Sequence, residues 1–124
     1  MPVWLAVAAG GAAGSVARYQ LTLALRLLAP QWPWGTLLVN VVGSLAIGAL
    51  GAGFGLRPVP DWVRFGLMSG VLGGFTTFSA FSIDTLDLWR TQPAAALLNV
   101  LVNVALSLAA CALGVWLARQ AVAA

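Results

Sequence analysis

Four apolar runs divide the chain, over 3–28, 34–54, 62–89 and 94–118, with turn-forming residues between them. The first stops at Pro30 and Pro33. The second ends before the turn Arg57-Pro58-Val59-Pro60-Asp61, and Pro93 stands just ahead of the fourth, where a proline suits a helix start. Each run matches the roughly 20 residues that carry a helix across a ~30 Å hydrocarbon core. The pattern predicts an all-α, multi-pass membrane protein: one domain over 1–124, four transmembrane helices, both termini on the same side.

The third run breaks the regularity. Trp62 and Trp89 bracket it, and tryptophan prefers the membrane interface. Unbroken helix between them would be roughly 40 Å long, too long for the hydrocarbon core without strong tilt. Gly73-Gly74 followed by Thr76-Thr77 is the place for a break, and the midpoint between the tryptophans falls at 75–76. A helix broken at mid-membrane releases carbonyls and amides that lipid cannot satisfy. They must be buried in protein, line a cavity or hold an ion. Converging carbonyls from two such breaks, brought together in an antiparallel dimer, would suit a bare cation such as Na+. Packing is the plainer alternative. Gly70-x-x-x-Gly74 is a small-residue pattern that also occurs at Gly10/Gly14 and Gly51/Gly55.

Polar residues inside the other runs follow helical spacing. Asn40 shares a face with Thr36, Gly43 and Ser44, while Asn99, Asn103, Ser107 and Cys111 recur every four residues as a slowly winding stripe. A buried amide needs a partner, so these groups either join helices to one another or line a polar track.

Composition settles the solvent. The chain is 61% hydrophobic and 7% charged, against about 25% charged in a soluble domain. Lipid must therefore cover most of its surface. The six basic residues are scattered arginines, which excludes a nucleic-acid patch; the single Cys111 excludes an internal disulfide, and there is no histidine to ligate a metal. The first residues lack the basic region of a signal peptide, so the first helix is expected to be retained. With Arg18 assigned to the nearer end of its helix, Arg57, Arg64 and Arg119 oppose Arg18, Arg26 and Arg90. Three against three gives no positive-inside bias, so the chain is expected to insert both ways and pair as an antiparallel homodimer. Carboxylates are confined to Asp61, Asp84 and Asp87, with none inside the first, second or fourth run. Amides, hydroxyls and Arg18 favour an anion over a cation. The electropositive ring edges of Phe78 and Phe81 fit the same preference, although a phenylalanine pair is also ordinary packing.

At this point the residues match a known family. Gly-Ser-Val-Ala-Arg-Tyr at 14–19, Gly-Thr-Leu-Leu-Val-Asn-Val-Val-Gly at 35–43 and, most specifically, Gly-Val-Leu-Gly-Gly-Phe-Thr-Thr-Phe-Ser-Ala-Phe at 70–81 resemble the Fluc (CrcB-type) fluoride channels along nearly the whole chain. The resemblance implies a dual-topology homodimer with two antiparallel fluoride pores and a central structural Na+. By motif position, Phe78 and Phe81 look like the rings whose edges contact fluoride, and Asn40 looks like the pore asparagine. Thr77 and Ser79 look like hydroxyls near the pore. The carbonyls of Gly73 and Thr76 look like the Na+ ligands, four oxygens from two subunits. Asn99, Asn103, Ser107 and Cys111 fall where the family has a polar track on its fourth helix. Asp84 stands where glutamate is usual, Ala80 where threonine is common and Asn99 where tyrosine is frequent. The expected activity is passive export of fluoride across a bacterial inner membrane, with no enzymatic step, no nucleic acid and no soluble protein partner implied. The competing reading, a small four-helix multidrug exporter, needs a carboxylate in the first helix, and 3–28 contains none.

Overall fold

The computed structural model describes all 124 residues and is helical throughout, without a strand. Helix α1 (Val3–Leu28) is followed by α2 (Trp34–Leu56), which runs past position 54 to an end at Arg57. The third run holds four pieces: α3 (Asp61–Phe65), a π-helical stretch (Gly66–Leu72), α4 (Gly73–Phe75) and, after a gap, α5 (Phe78–Thr91). Helix α6 (Pro93–Ala123) starts on its proline and continues past position 118. Three runs are long and apolar enough to cross a membrane: Trp34–Leu56, Asp61–Thr91 and Pro93–Ala123. Helix α1 has the length, at 26 residues, but Ser15, Arg18 and Gln20 dilute its apolar character.

Close backbone contact organises the packing. Helix α1 lies against the π-helical stretch and α4, while α2 packs chiefly on α6. At Gly14 a side chain would run into the Val71 carbonyl, and at Gly48 into the backbone of Cys111. The patterns Gly10/Gly14 and Gly70/Gly74 thus face each other across one interface. Gly51/Gly55 has no such role, because Gly55 meets nothing within 4 Å and Gly51 only the tip of Met68.

Only 15 of the 124 residues are buried, and Leu97, Leu101, Leu108 and Trp116 stand exposed. That inventory is the reverse of a soluble bundle, where the apolar stripe turns inward. The exterior suits lipid.

Candidate functional site

The break falls at Thr76 and Thr77, both extended, while Gly73 and Gly74 remain helical. In an unbroken helix the Thr77 N–H would donate to the Gly73 carbonyl and the Ala80 N–H to that of Thr76. Neither does. Thr77 N–H donates to Asn40 Oδ1 at 2.8 Å, and Asn40 Nδ2 donates back to the Thr77 carbonyl at 3.0 Å. The Asn40 amide pairs with Thr77 as a neighbouring strand would. Ala80 N–H donates to the Thr77 hydroxyl at 3.1 Å, the side-chain cap that starts α5. The carbonyls of Gly73 and Thr76 are thereby released from the helix ladder. That of Gly74 accepts from Arg18 Nε at 3.0 Å.

This bond places Arg18 differently from the sequence reading. It sits half-buried beside the break in the third run.

From Asn40 a chain of amides runs toward α5. Asn40 Nδ2 also donates to Asn103 Oδ1 (3.4 Å), and Asn103 Nδ2 donates to both the carbonyl and Oδ1 of Asn99 (3.0 Å each). Asn99 Nδ2 donates to the Thr85 hydroxyl (3.0 Å), which donates to the Phe81 carbonyl (2.7 Å). Asn99 is fully buried, which such a group tolerates only when bonded.

Beside this chain lies a cavity of about 330 Å³, lined by Asn40, Ser44, Thr76, Thr77, Phe78, Phe81, Asn103, Val104, Ser107 and Leu108. The rings of Phe78 and Phe81 meet at 5.3 Å between centroids and 56° between planes. Ser107 Oγ is buried without a partner. Asn40, Thr77, Phe78, Phe81, Asn103 and Ser107, singled out from the sequence, therefore share one cavity wall. Ser79 does not line it; its hydroxyl lies 3.3 Å from that of Thr77 on an exposed surface. Of the α6 stripe, Asn99 is consumed in the amide chain and Cys111 lies where α6 crosses Gly48, so only its middle reaches the cavity. Gly73 is exposed on the side away from α1, and Thr76 is half-buried.

Ser44, which helical spacing puts on one face with Asn40 but which was not singled out as a pore residue, also lines the cavity. One feature escaped the sequence reading. The Thr36 hydroxyl donates to Asp84 Oδ2 at 2.7 Å, in the wall of a second cavity of about 300 Å³ near Arg26, Trp32, Trp34 and Asp87. There two carboxylates outnumber one guanidinium, a poor setting for an anion.

The family described as "CrcB-like protein, Camphor Resistance (CrcB)" matches residues 5–115. The chain belongs to this family. It is 47% identical over 118 residues to "Fluoride-specific ion channel FluC 1" of Nitrobacter hamburgensis, covering 93% of this chain and 94% of the relative. It is 49% identical over 117 residues to "Fluoride-specific ion channel FluC" of Paracoccus denitrificans, with 94% of each covered. The protein of that name from a Caulobacter species is 47% identical over 121 residues, again with 94% of each covered. All three relatives are named as channels and none as an enzyme. The family model spans both the asparagine of α2 and the broken third run.

Proposed function

We propose that the protein is a fluoride channel that lets the ion leave a bacterial cell passively across the inner membrane. The single observation behind this reading is the shared cavity, where hydroxyls, amides and two phenyl rings converge without a carboxylate. Fluoride is small and strongly hydrated. A conducting site must replace that shell without trapping the ion. Phenyl edges and hydroxyls do so with partial charges only, and the amino end of α5, capped by Thr77, adds the positive end of a helix dipole. Asn40, Thr77, Asn103 and Ser107 form the polar side of the path, Phe78 and Phe81 the ring side, and Ser79 its outer margin.

The full pore requires a second subunit. Phe78 is 77% exposed and Gly73 lies on an open face, so neither site is closed within one chain. An antiparallel homodimer, with α1 also spanning the membrane, would complete two pores and bring two breaks together. The released carbonyls of Gly73 and Thr76 from both subunits would then hold a structural Na+. Carbonyl oxygens are the donors that hard cations take, so the residues present fit that ion.

Fluoride efflux from proteoliposomes, followed by electrode with chloride as control, tests the reading. Rapid fluoride loss without chloride loss is expected. Efflux no faster than from protein-free vesicles would remove the assignment and leave a structural membrane subunit.

A further inference from the structure

The side-chain hydrogen-bond donors around the cavity can be followed one by one. Asn40 Nδ2 is committed to the Thr77 carbonyl and to Asn103 Oδ1, and Asn103 Nδ2 to two oxygens of Asn99. An amide offers two hydrogens, so neither asparagine has one to spare. The Thr76 hydroxyl donates to the Leu72 carbonyl at 2.9 Å, and that of Thr77 accepts from Ala80 and pairs with Ser79. Two hydroxyls have no partner in the protein. Ser107 Oγ is buried and unpartnered on α6. Ser44, half-buried on α2, lines the same cavity.

The Ser44 hydroxyl is also free of a local backbone bond. A helical serine or threonine commonly satisfies its hydroxyl on the carbonyl four residues earlier. Thr22, Thr76, Ser82 and Thr85 do so here, whereas Ser15, Ser44, Ser69 and Ser107 do not. Ser44 makes no such bond, although the Asn40 carbonyl is in the matching position. Its hydroxyl is left free to turn toward the cavity.

We propose that Ser44 is an anion-coordinating residue, donating to the fluoride ion from α2 as Ser107 donates from α6. The amides of Asn40 and Asn103, their hydrogens committed within the protein, then hold the wall in shape. The inference rests on the fluoride reading above. A rotatable hydroxyl suits transit, since it can follow the ion and release it without leaving a buried amide unpaired.

Two measurements on the purified protein decide it: fluoride binding in detergent by ¹⁹F NMR titration, and fluoride efflux from proteoliposomes. Ser44→Ala is expected to weaken binding roughly tenfold or more, the effect of losing one hydrogen bond to a charged group. Efflux should slow as well. The melting temperature should stay at the wild-type value, because the Ser44 hydroxyl bonds nothing in the protein. Ser44→Thr, which keeps the hydroxyl, should restore binding and efflux. Wild-type binding and efflux in Ser44→Ala would overturn the assignment while the fluoride reading stands. Loss of binding together with a lowered melting temperature, unrescued by threonine, would assign Ser44 to packing and overturn it too. A wild-type protein that neither binds nor passes fluoride would overturn both proposals.

Discussion

Phe78 and Phe81 share a cavity wall but stand in different environments, Phe78 77% exposed and Phe81 8%. Isoleucine keeps apolar bulk and removes the ring quadrupole, so the two substitutions separate packing from ion contact. Phe78→Ile should reduce fluoride efflux sharply with no loss of subunit stability. Phe81→Ile should reduce efflux and also lower stability by roughly 1 kcal/mol, from imperfect refilling of a buried space. Efflux and thermal melting of the purified variants check both, and wild-type efflux from either variant would return that ring to a packing role. Asn40 is exposed to a different failure. Asn40→Ala strips the partner from both the N–H and the carbonyl of Thr77, leaving two backbone groups unsatisfied next to the break. A stability loss of about 1–3 kcal/mol is expected, measurable by melting in detergent. A melting temperature matching wild type would mean that the break does not depend on this pairing.

At the scale of helices, two glycines make opposite predictions. Gly14→Ala drives a methyl group into the Val71 carbonyl and should separate α1 from the π-helical stretch, with a clear fall in melting temperature. Gly53→Ala, in the interior of α2 with nothing within 4 Å, should be neutral or stabilising by about 0.5–1 kcal/mol from helix propensity alone, provided a partner subunit leaves that face open. Melting curves of the two variants side by side test the assignment of interfaces. The same elements mark how far the sequence could be read. Apolar run length gave the helical runs, and the excess length of the third, with its glycines and threonines, pointed to a break. The break lies at the threonines, because the two glycines stay in the helix while the Asn40 amide replaces the lost ladder bonds. That replacement joins residues 37 positions apart and leaves no local signature. The π-helical stretch was illegible for the same reason: nothing in Gly66–Leu72 distinguishes i→i+5 bonding from i→i+4 until α1 packs on it. In the site, helical spacing brought Asn40 together with Ser44, and Asn103 with Ser107. It could not tell which end of the α6 stripe would be taken up by contacts with neighbouring helices.

For the whole molecule, the deciding quantities are the apolar exterior and the few charges set into it. With Arg18 held against the Gly74 carbonyl, the ends carry Arg57, Arg64 and Arg119 against Arg26 and Arg90. A difference of one arginine is a weak orienting bias, since insertion follows the excess of basic residues near the ends of the spans. On the antiparallel-dimer proposal, a nearly unbiased chain would insert in both directions, and two opposed copies would meet about an axis in the membrane plane. In the proposed dimer that arrangement would bring Gly73 and Thr76 of both subunits together. Replacing Na+ by a large organic cation during long dialysis should therefore weaken dimer or flux, with size-exclusion chromatography as the readout for the dimer. Topology itself admits a more direct measurement. Cys111, half-buried near the α2–α6 crossing, is replaced by alanine, and a single cysteine is added at either terminus. An impermeant thiol reagent applied to sealed spheroplasts should modify part of the population, and the remainder only after the membrane is opened. Adding one arginine beside Arg57 should shift that ratio toward one orientation and reduce fluoride efflux, because unequal populations leave chains without an opposed partner. Complete labelling from a single side in the unmodified protein would rule out the antiparallel dimer, and with it the shared Na+ site at the two breaks.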